Sequence, residues 1–443
     1  MKLFYRGVIL LAIAAFLGES LEVIINIVLA RELGEKGLGL YMSILPSIML
    51  IAVLASMELP ISISKFVAEK DKQYHRSMLR HALALALLIS SLIFIIAIMV
   101  IPYVSVFNQY HPFVRKLIFI LIPLMSFSAV FRGYFMGSHQ MGKIAFSNFL
   151  RRFAQLLLLV FIYQLFQFDR DLALLIALCT IIASEFLVFA YMGTMFFIEM
   201  KSKEFKKKSK IMDGRTVRKS LLSVSLPMTG VRLFHSITFA IKPFLIKAAL
   251  VNAGLTEALA TAQFGKLAGV AFSIGFFPTF IAHSLLIVLI PTVAEAYAKN
   301  DYVKLQQLLV RVMKITMFYG VPSVFIFYFF AEPLTGLFFK NSPAVVYLQI
   351  LVPYFLFHYF VIPLQAYLIG LGLAKDALIH AVWSSLISFV LMYYLGSMEH
   401  LQMHGIIIGM NTGIVLLTLM HYVTVCNVIG ISLTMRGPAF NRV

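Results

Sequence analysis

Several ionisable side chains stand within or at the ends of long apolar stretches, where a charge is costly and marks a site that handles ions, protons or water. Glu19 and Glu22 are three residues apart, so on a helix they share one face. Glu58 lies in a second stretch, Arg132 near the end of a fourth, and Glu185 within a sixth. Arg232 and His235 are again three apart. Lys242 and Lys247 follow in the same stretch, Lys266 begins the next, and His358 and Gln365 occupy a later one. Carboxylates so placed can take up a proton or a cation, which makes Glu19, Glu22 and Glu58 ion-coupling candidates. Arg232 lies about twelve residues into its stretch, too deep to snorkel to an interface, and is expected to face a wet cavity. Lys247, Lys266 and Arg132 have the alternative of snorkelling. Glu185 can serve as partner to a basic residue. Glu19 and Glu22 either bind a proton or cation or neutralise Arg232; the residues alone leave both open.

The elements that position these groups follow from composition. The chain has 443 residues, 61% hydrophobic and only 13% charged, against about 25% charged in a soluble domain. That composition excludes a soluble enzyme, a nucleic-acid binder and a disordered protein, and predicts an all-α polytopic membrane protein. A span needs about 20 mostly apolar residues. Twelve candidates are present: roughly 7–30, 39–64, 81–103, 116–137, 147–167, 171–197, 220–249, 265–296, 312–331, 346–372, 376–395 and 405–431. The start resembles a signal peptide, with Lys2 and Arg6 before an apolar run. The run resumes after Glu22 and continues to Ala30, which reads as a retained first span.

The net charge is +18, and its distribution tests the span count. With the N-terminus cytoplasmic, about 27 of the 37 Lys and Arg fall in inner segments and about six in outer ones. That bias predicts a multi-pass protein of the cell membrane with both termini cytoplasmic. The basic excess therefore marks topology and anionic membrane lipids as partners rather than nucleic acid. Nine basic residues fall between Lys201 and Lys219, including Lys206, Lys207 and Lys208. They read as a linker, with an N-terminal six-helix lobe over 1–200, the linker over 201–219 and a C-terminal six-helix lobe over 220–443.

The two halves carry similar landmarks. Pro46 and Pro60 correspond to Pro278 and Pro291, Pro123 to Pro353, and Gly137 to Gly370, at offsets of 230 to 233 residues. A repeat of six spans starts both halves on the same side, which makes it parallel, and its prolines allow bends in spans two and eight. No Walker A pattern, HExxH or Gly-x-Ser-x-Gly is present. Cys179 and Cys426 lie in apolar stretches as packing residues, without metal-ligand spacing. No catalytic residue, metal site or cofactor is expected, and the chain reads as no enzyme.

Six segments stand out in order along the chain: Leu29-Ala30-Arg31-Glu32-Leu33-Gly34, Gly37-Leu38-Gly39-Leu40-Tyr41, Leu59-Pro60-Ile61-Ser62, Arg132-Gly133-Tyr134-Phe135-Met136-Gly137, Ser225-Leu226-Pro227-Met228-Thr229 and Leu289-Ile290-Pro291-Thr292-Val293-Ala294-Glu295-Ala296. With them the chain resembles the multidrug/oligosaccharidyl-lipid/polysaccharide flippase superfamily, in particular its polysaccharide-biosynthesis and stage V sporulation protein B branch. The resemblance implies two six-helix lobes with alternating access to a central cavity. It also implies a polyprenyl-pyrophosphate-linked glycan or cell-wall precursor as the amphiphilic substrate, and envelope-synthesis proteins as partners. Arg31, Arg232, Lys242, Lys247 and Lys266 would then meet the pyrophosphate. The chain departs from lipid II flippases of the superfamily, which commonly have fourteen helices. It also carries Ser147-Asn148-Phe149-Leu150-Arg151-Arg152 where the branch usually has an acid. The competing expectations are an ion-coupled exporter of organic cations, using Glu19, Glu22 and Glu58, and a non-transporting scaffold for envelope or spore assembly.

Overall fold

In the computed structural model, residues 2–201, 210–340 and 344–433 are described. Lys203, Lys206, Lys207 and Lys208 of the linker, and Arg436 and Arg442, lie outside them. The described chain is helical, with no strand: α1 Lys2–Ser56, α2 Leu59–Glu69, α3 Lys72–Val100, α4 Phe113–Gly137, α5 Met141–Leu165 and α6 Arg170–Lys201. There follow α7 Gly214–Asn252, α8 Glu257–Gly265, α9 Thr279–Ala298, α10 Tyr302–Phe329, α11 Val352–Gly370, α12 Ala374–Gly396 and α13 Met403–Ile429. Among the described residues, eleven helices are long and apolar enough to cross a membrane. The chain is an all-α polytopic membrane protein.

The count of eleven reconciles with twelve spans at α1. Its 55 residues would extend about 80 Å, far beyond a hydrocarbon layer of about 30 Å. Gly34 interrupts it with φ 68° and ψ 179°, a backbone conformation essentially reserved for glycine. The break separates the expected first and second spans. Pro46 lies inside α1 without ending it, whereas Pro60 sits in the first turn of α2 just after a break. In span eight the pattern is reversed. Pro278 directly precedes α9 and Pro291 is carried inside it. Each span is interrupted once, but at prolines that do not correspond.

The chain forms two compact units, Tyr41–Ile241 and Met1–Leu40 with Lys242–Val443. These limits differ from the division at 200 and 220. The basic run marks a loop, while packing decides which helix segment belongs where. In the first unit, Val217 and Leu221 of α7 are fully buried in one apolar core with Leu59, Phe66, Met78, Phe131 and Phe196. In the other, Leu29, Leu33 and Leu38 of α1 are buried, and Asn26 Nδ2 donates to Ser273 Oγ at 2.9 Å.

The repeat is visible in helix pairing. Within the first unit α4 packs on α2, α3 and α6, and α5 on α6. Within the second, α11 packs on α9, α10 and α13, and α12 on α13. The paired glycines do the same work in each. A Cβ on Gly137 would come within 2.6 Å of the Ser64 carbonyl and 2.7 Å of Val67 Cβ on α2. One on Gly370 would come within 2.9 Å of the Ile290 carbonyl and 2.8 Å of Val293 Cβ on α9. Close approach of helix backbones at small residues is a standard way to pack spans in lipid.

The described end of the linker is fixed to α3. Lys210 N–H donates to the Gln73 carbonyl and Met212 N–H to Ser77 Oγ. Asp213 then accepts from the Thr216 backbone N–H and hydroxyl, both at 2.9 Å, closing the first turn of α7. The Thr216 backbone donor, followed by its hydroxyl, holds the Asp213 carboxyl below the usual carboxylate range. A depressed folded-state value means that this support is complete above the ordinary range, near 3.9, and is lost as pH falls through the lowered value. Asp213→Ala is expected to speed exchange of the Thr216 amide several-fold at neutral pH. In the parent chain the same acceleration should appear only on acidification below about 4. Hydrogen exchange followed by mass spectrometry reads both; an unchanged Thr216 rate in the variant would remove the cap.

Candidate functional site

The span carrying Glu58 is broken where that residue stands. Between Ser56, the last residue of α1, and Leu59, the first of α2, both Met57 (φ 42°) and Glu58 (φ 47°) are left-handed. Non-glycine residues hold that conformation at a cost of about 1–3 kcal/mol each, and the surrounding structure must impose it. Pro60 accounts for the interruption though not for the left-handed backbone: lacking an N–H, it cannot donate to the Ser56 carbonyl as a continuing helix would require.

The break delivers a carboxylate to an arginine. Glu58 Oε1 lies 3.2 Å from Arg232 Nε of α7. The pair is asymmetric: the Glu58 side chain is 8% exposed and that of Arg232 62%. Glu58 thus anchors one edge of the guanidinium. The terminal N–H groups of Arg232, on the opposite side from Nε, have no partner among the described residues. A planar guanidinium presenting two parallel donors matches a phosphate or carboxylate. His235, one turn on, lies within electrostatic reach of Arg232. Arg232 therefore presents donors instead of spending them all on an ion pair, and its acidic partner is Glu58. Glu19 and Glu22, both half-buried on α1, belong to the other compact unit.

The remaining basic candidates all lie in that other unit. Lys242 is half-buried, and Lys242 and His283 both lie within electrostatic reach of His358. His358 stacks on Tyr354 at 5.9 Å between ring centroids and meets the Phe276 ring edge-on at 4.9 Å. Lys247 is buried, with Nζ 5.4 Å from the Phe244 ring, and Glu257 lies within its electrostatic reach. Lys266, 5% exposed, places Nζ 2.7 Å from Glu35. It begins a π-helical segment, Lys266–Ala271. Arg31 donates through Nε and Nη2 to the Leu337 carbonyl at 3.2 and 3.0 Å, satisfying the end of the short helix Ala331–Gly336. Arg31 and Lys266 fasten the first span to its unit, whereas the surroundings of Lys242 among the described residues are electrostatic only.

Three groups escaped the sequence reading. Glu35 lies in the short polar link between spans one and two and looked like a loop residue; a buried Lys266 in need of a partner was the available signal. Glu199 accepts from Gln140 Nε2 at 3.2 Å and from Lys143. It lines a cavity of about 960 Å³ with Lys70, His75 and Tyr134, among others. His283 was hidden in an apolar run. Glu185 does pair with a base, 3.1 Å from Arg151 Nη1. Among the described residues no group of three His, Cys, Asp or Glu side chains could hold a metal ion.

Residues 4–255 match the family model described as polysaccharide biosynthesis protein. The chain belongs to the polysaccharide biosynthesis protein family. Residues 265–394 match the MatE model. Within this family, the chain is 49% identical to sporulation protein YkvU of Bacillus subtilis (strain 168), over 99% of this chain and 98% of that one. It is 29% identical to stage V sporulation protein B of the same organism, over 99% of this chain and 86% of that one. A solved multidrug resistance MATE family transporter of the MOP superfamily, in an inward-facing conformation, shares the fold at TM-score 0.75 and 18% identity. That alignment covers 95% of this chain and 96% of the other. This member of the polysaccharide biosynthesis protein family is thus a multi-pass membrane protein.

Proposed function

We propose that the protein flips a polyprenyl-pyrophosphate-linked glycan across the cytoplasmic membrane by alternating access, with both chain ends on the cytoplasmic side. The observation that carries this reading is Arg232, held on one edge by buried Glu58 at a helix break and exposed on the other. Pyrophosphate would take the free terminal donors of Arg232, while the polyprenyl tail stays in lipid. The relatives' names support a link to sporulation: one is called a sporulation protein and another a stage V sporulation protein. A sporulation-linked glycan and envelope-synthesis partners are extensions of that likeness.

An exporter of organic cations would need an acid available to the cargo. Glu58 is already balanced by Arg232, so a cation would have to displace a guanidinium from a buried carboxylate. The test is a proteoliposome assay of a fluorescent polyprenyl-pyrophosphate glycan. Arg232→Gln is expected to lower the initial flipping rate about tenfold or more, the worth of a lost charge-assisted hydrogen bond, with insertion and unfolding temperature followed in parallel. Full flipping by a folded Arg232→Gln protein would exclude Arg232. Dye export without glycan flipping would favour the cation exporter.

A further inference from the structure

A second group of charges in the Tyr41–Ile241 unit is not balanced. Arg132 of α4, Arg151 of α5 and Glu185 of α6 converge where these three helices pack on one another. Arg151 Nη1 donates to Glu185 Oε1 at 3.1 Å. Glu185 also acts electrostatically on Arg132, as does Arg151, with opposite sign. Two guanidinium groups thus share one carboxylate, which leaves one positive charge in excess. The Glu185 side chain is only 8% exposed and that of Arg151 37%. The Nε atoms of Arg132 and Arg151 are both buried without a hydrogen-bond partner among the described residues.

Two physical costs coincide here. A guanidinium carries five N–H donors, about ten for the pair, and the single bond to Glu185 satisfies one of them. An uncompensated charge within a membrane span is expensive unless an anion or water completes it. Arg132 does not escape by snorkelling, because its Nε is buried. Among the described residues no neighbouring oxygen accepts from either buried Nε.

We propose that Arg132, Arg151 and Glu185 form an anion-binding site for a phosphate oxyanion, in which Glu185 orients Arg151 and competes with the ligand. The site is separate from the Arg232–Glu58 pair and does not depend on the transport reading. Its ligand is a phosphoryl group, from either a soluble pyrophosphate or a phospholipid headgroup.

The test uses the full-length protein in nanodiscs of zwitterionic phosphatidylcholine, treated with an arginine-selective dicarbonyl reagent and digested for mass spectrometry. Inorganic pyrophosphate is expected to protect Arg132 and Arg151 from modification. Protection by added phosphatidylglycerol instead supports the site with a lipid headgroup as its ligand. Protection by neither overturns the proposal, and this arm needs no variant to fold. Glu185→Gln, which removes the competing acid, is expected to tighten pyrophosphate binding about tenfold. A structural triad would show a lower unfolding temperature with unchanged binding, which also overturns the proposal. Arg232 is read in the same digests. Protection of Arg132 and Arg151 without Arg232 would leave this site standing and count against the transport site. The converse would do the opposite.

Discussion

Arg232→Gln is expected to destabilise the protein by about 2–3 kcal/mol, and Glu58→Gln by under about 1 kcal/mol, although both delete the same ion pair. The asymmetry follows from exposure. Removing Arg232 strands a carboxylate that is 8% exposed in an apolar surrounding, where an unpaired charge is costly. Removing Glu58 leaves an arginine that is 62% exposed, and water can take over its solvation. The double variant Arg232→Gln/Glu58→Gln should recover most of the stability lost by Arg232→Gln, because two neutral amides can bond to each other. It should not recover flipping, because the anion-binding donors stay absent. A double-mutant cycle of unfolding free energies in detergent separates these cases. Equal losses from the two single variants would mean that the ion pair is not buried on one side only.

The same cycle bears on why the helix break exists. Met57 and Glu58 hold left-handed backbone, which an unconstrained chain would abandon. Glu58 pointing at Arg232 is one interaction that holds the strain in place, so the break and the ion pair support each other. Broken spans at transporter binding sites commonly use unwound backbone this way. Here the break brings in a side chain whose work is to aim another side chain.

Much of this architecture was legible in the sequence. Hydropathy and the distribution of lysine and arginine marked twelve spans, because the bilayer imposes length and charge rules that hold residue by residue. The correspondence of Gly137 with Gly370 was visible as spacing, and both prove to be points of helix contact. Packing partners were not legible. The basic run at Lys201–Lys219 announced a division between halves, yet the compact units change at Leu40 and Ile241. Nothing in a hydropathy pattern says which neighbours Leu29, Leu33 and Leu38 will choose. The break at Met57–Glu58 was also hidden. Pro46 and Pro60 look equivalent in sequence, and only tertiary packing determines which of them ends a helix. The role of Glu58 depended on that break: by residue type it resembles Glu19 and Glu22, and by geometry it is the partner of Arg232.

Gly39→Val is expected to prevent stable assembly of the unit that contains α8 and the part of α1 up to Leu40, with a loss of more than about 3 kcal/mol. A Cβ on Gly39 would overlap the Thr261 backbone carbonyl of α8, an atom that cannot swing aside as a side chain can. A Cβ on Gly265 would meet the reverse face of the same contact, 2.6 Å from Gly39 N and 2.8 Å from the Glu35 carbonyl. The two backbones therefore touch over a full turn, and any side chain on either must push the helices apart. Separation has a second cost. Lys266 follows Gly265 directly and relies on Glu35, four residues before Gly39, for its 2.7 Å ion pair. Lys266 is 5% exposed, so loss of Glu35 would leave a buried ammonium unpaired. Gly142→Ala is the matching control. A Cβ there meets nothing within 4 Å, and alanine in this first turn of α5 is expected to stabilise by about 0.4–1 kcal/mol through the unfolded chain. Thermal unfolding and monodispersity in detergent should therefore move in opposite directions for Gly39→Val and Gly142→Ala. A Gly39→Val protein as stable as its parent would show that α1 and α8 do not meet backbone to backbone.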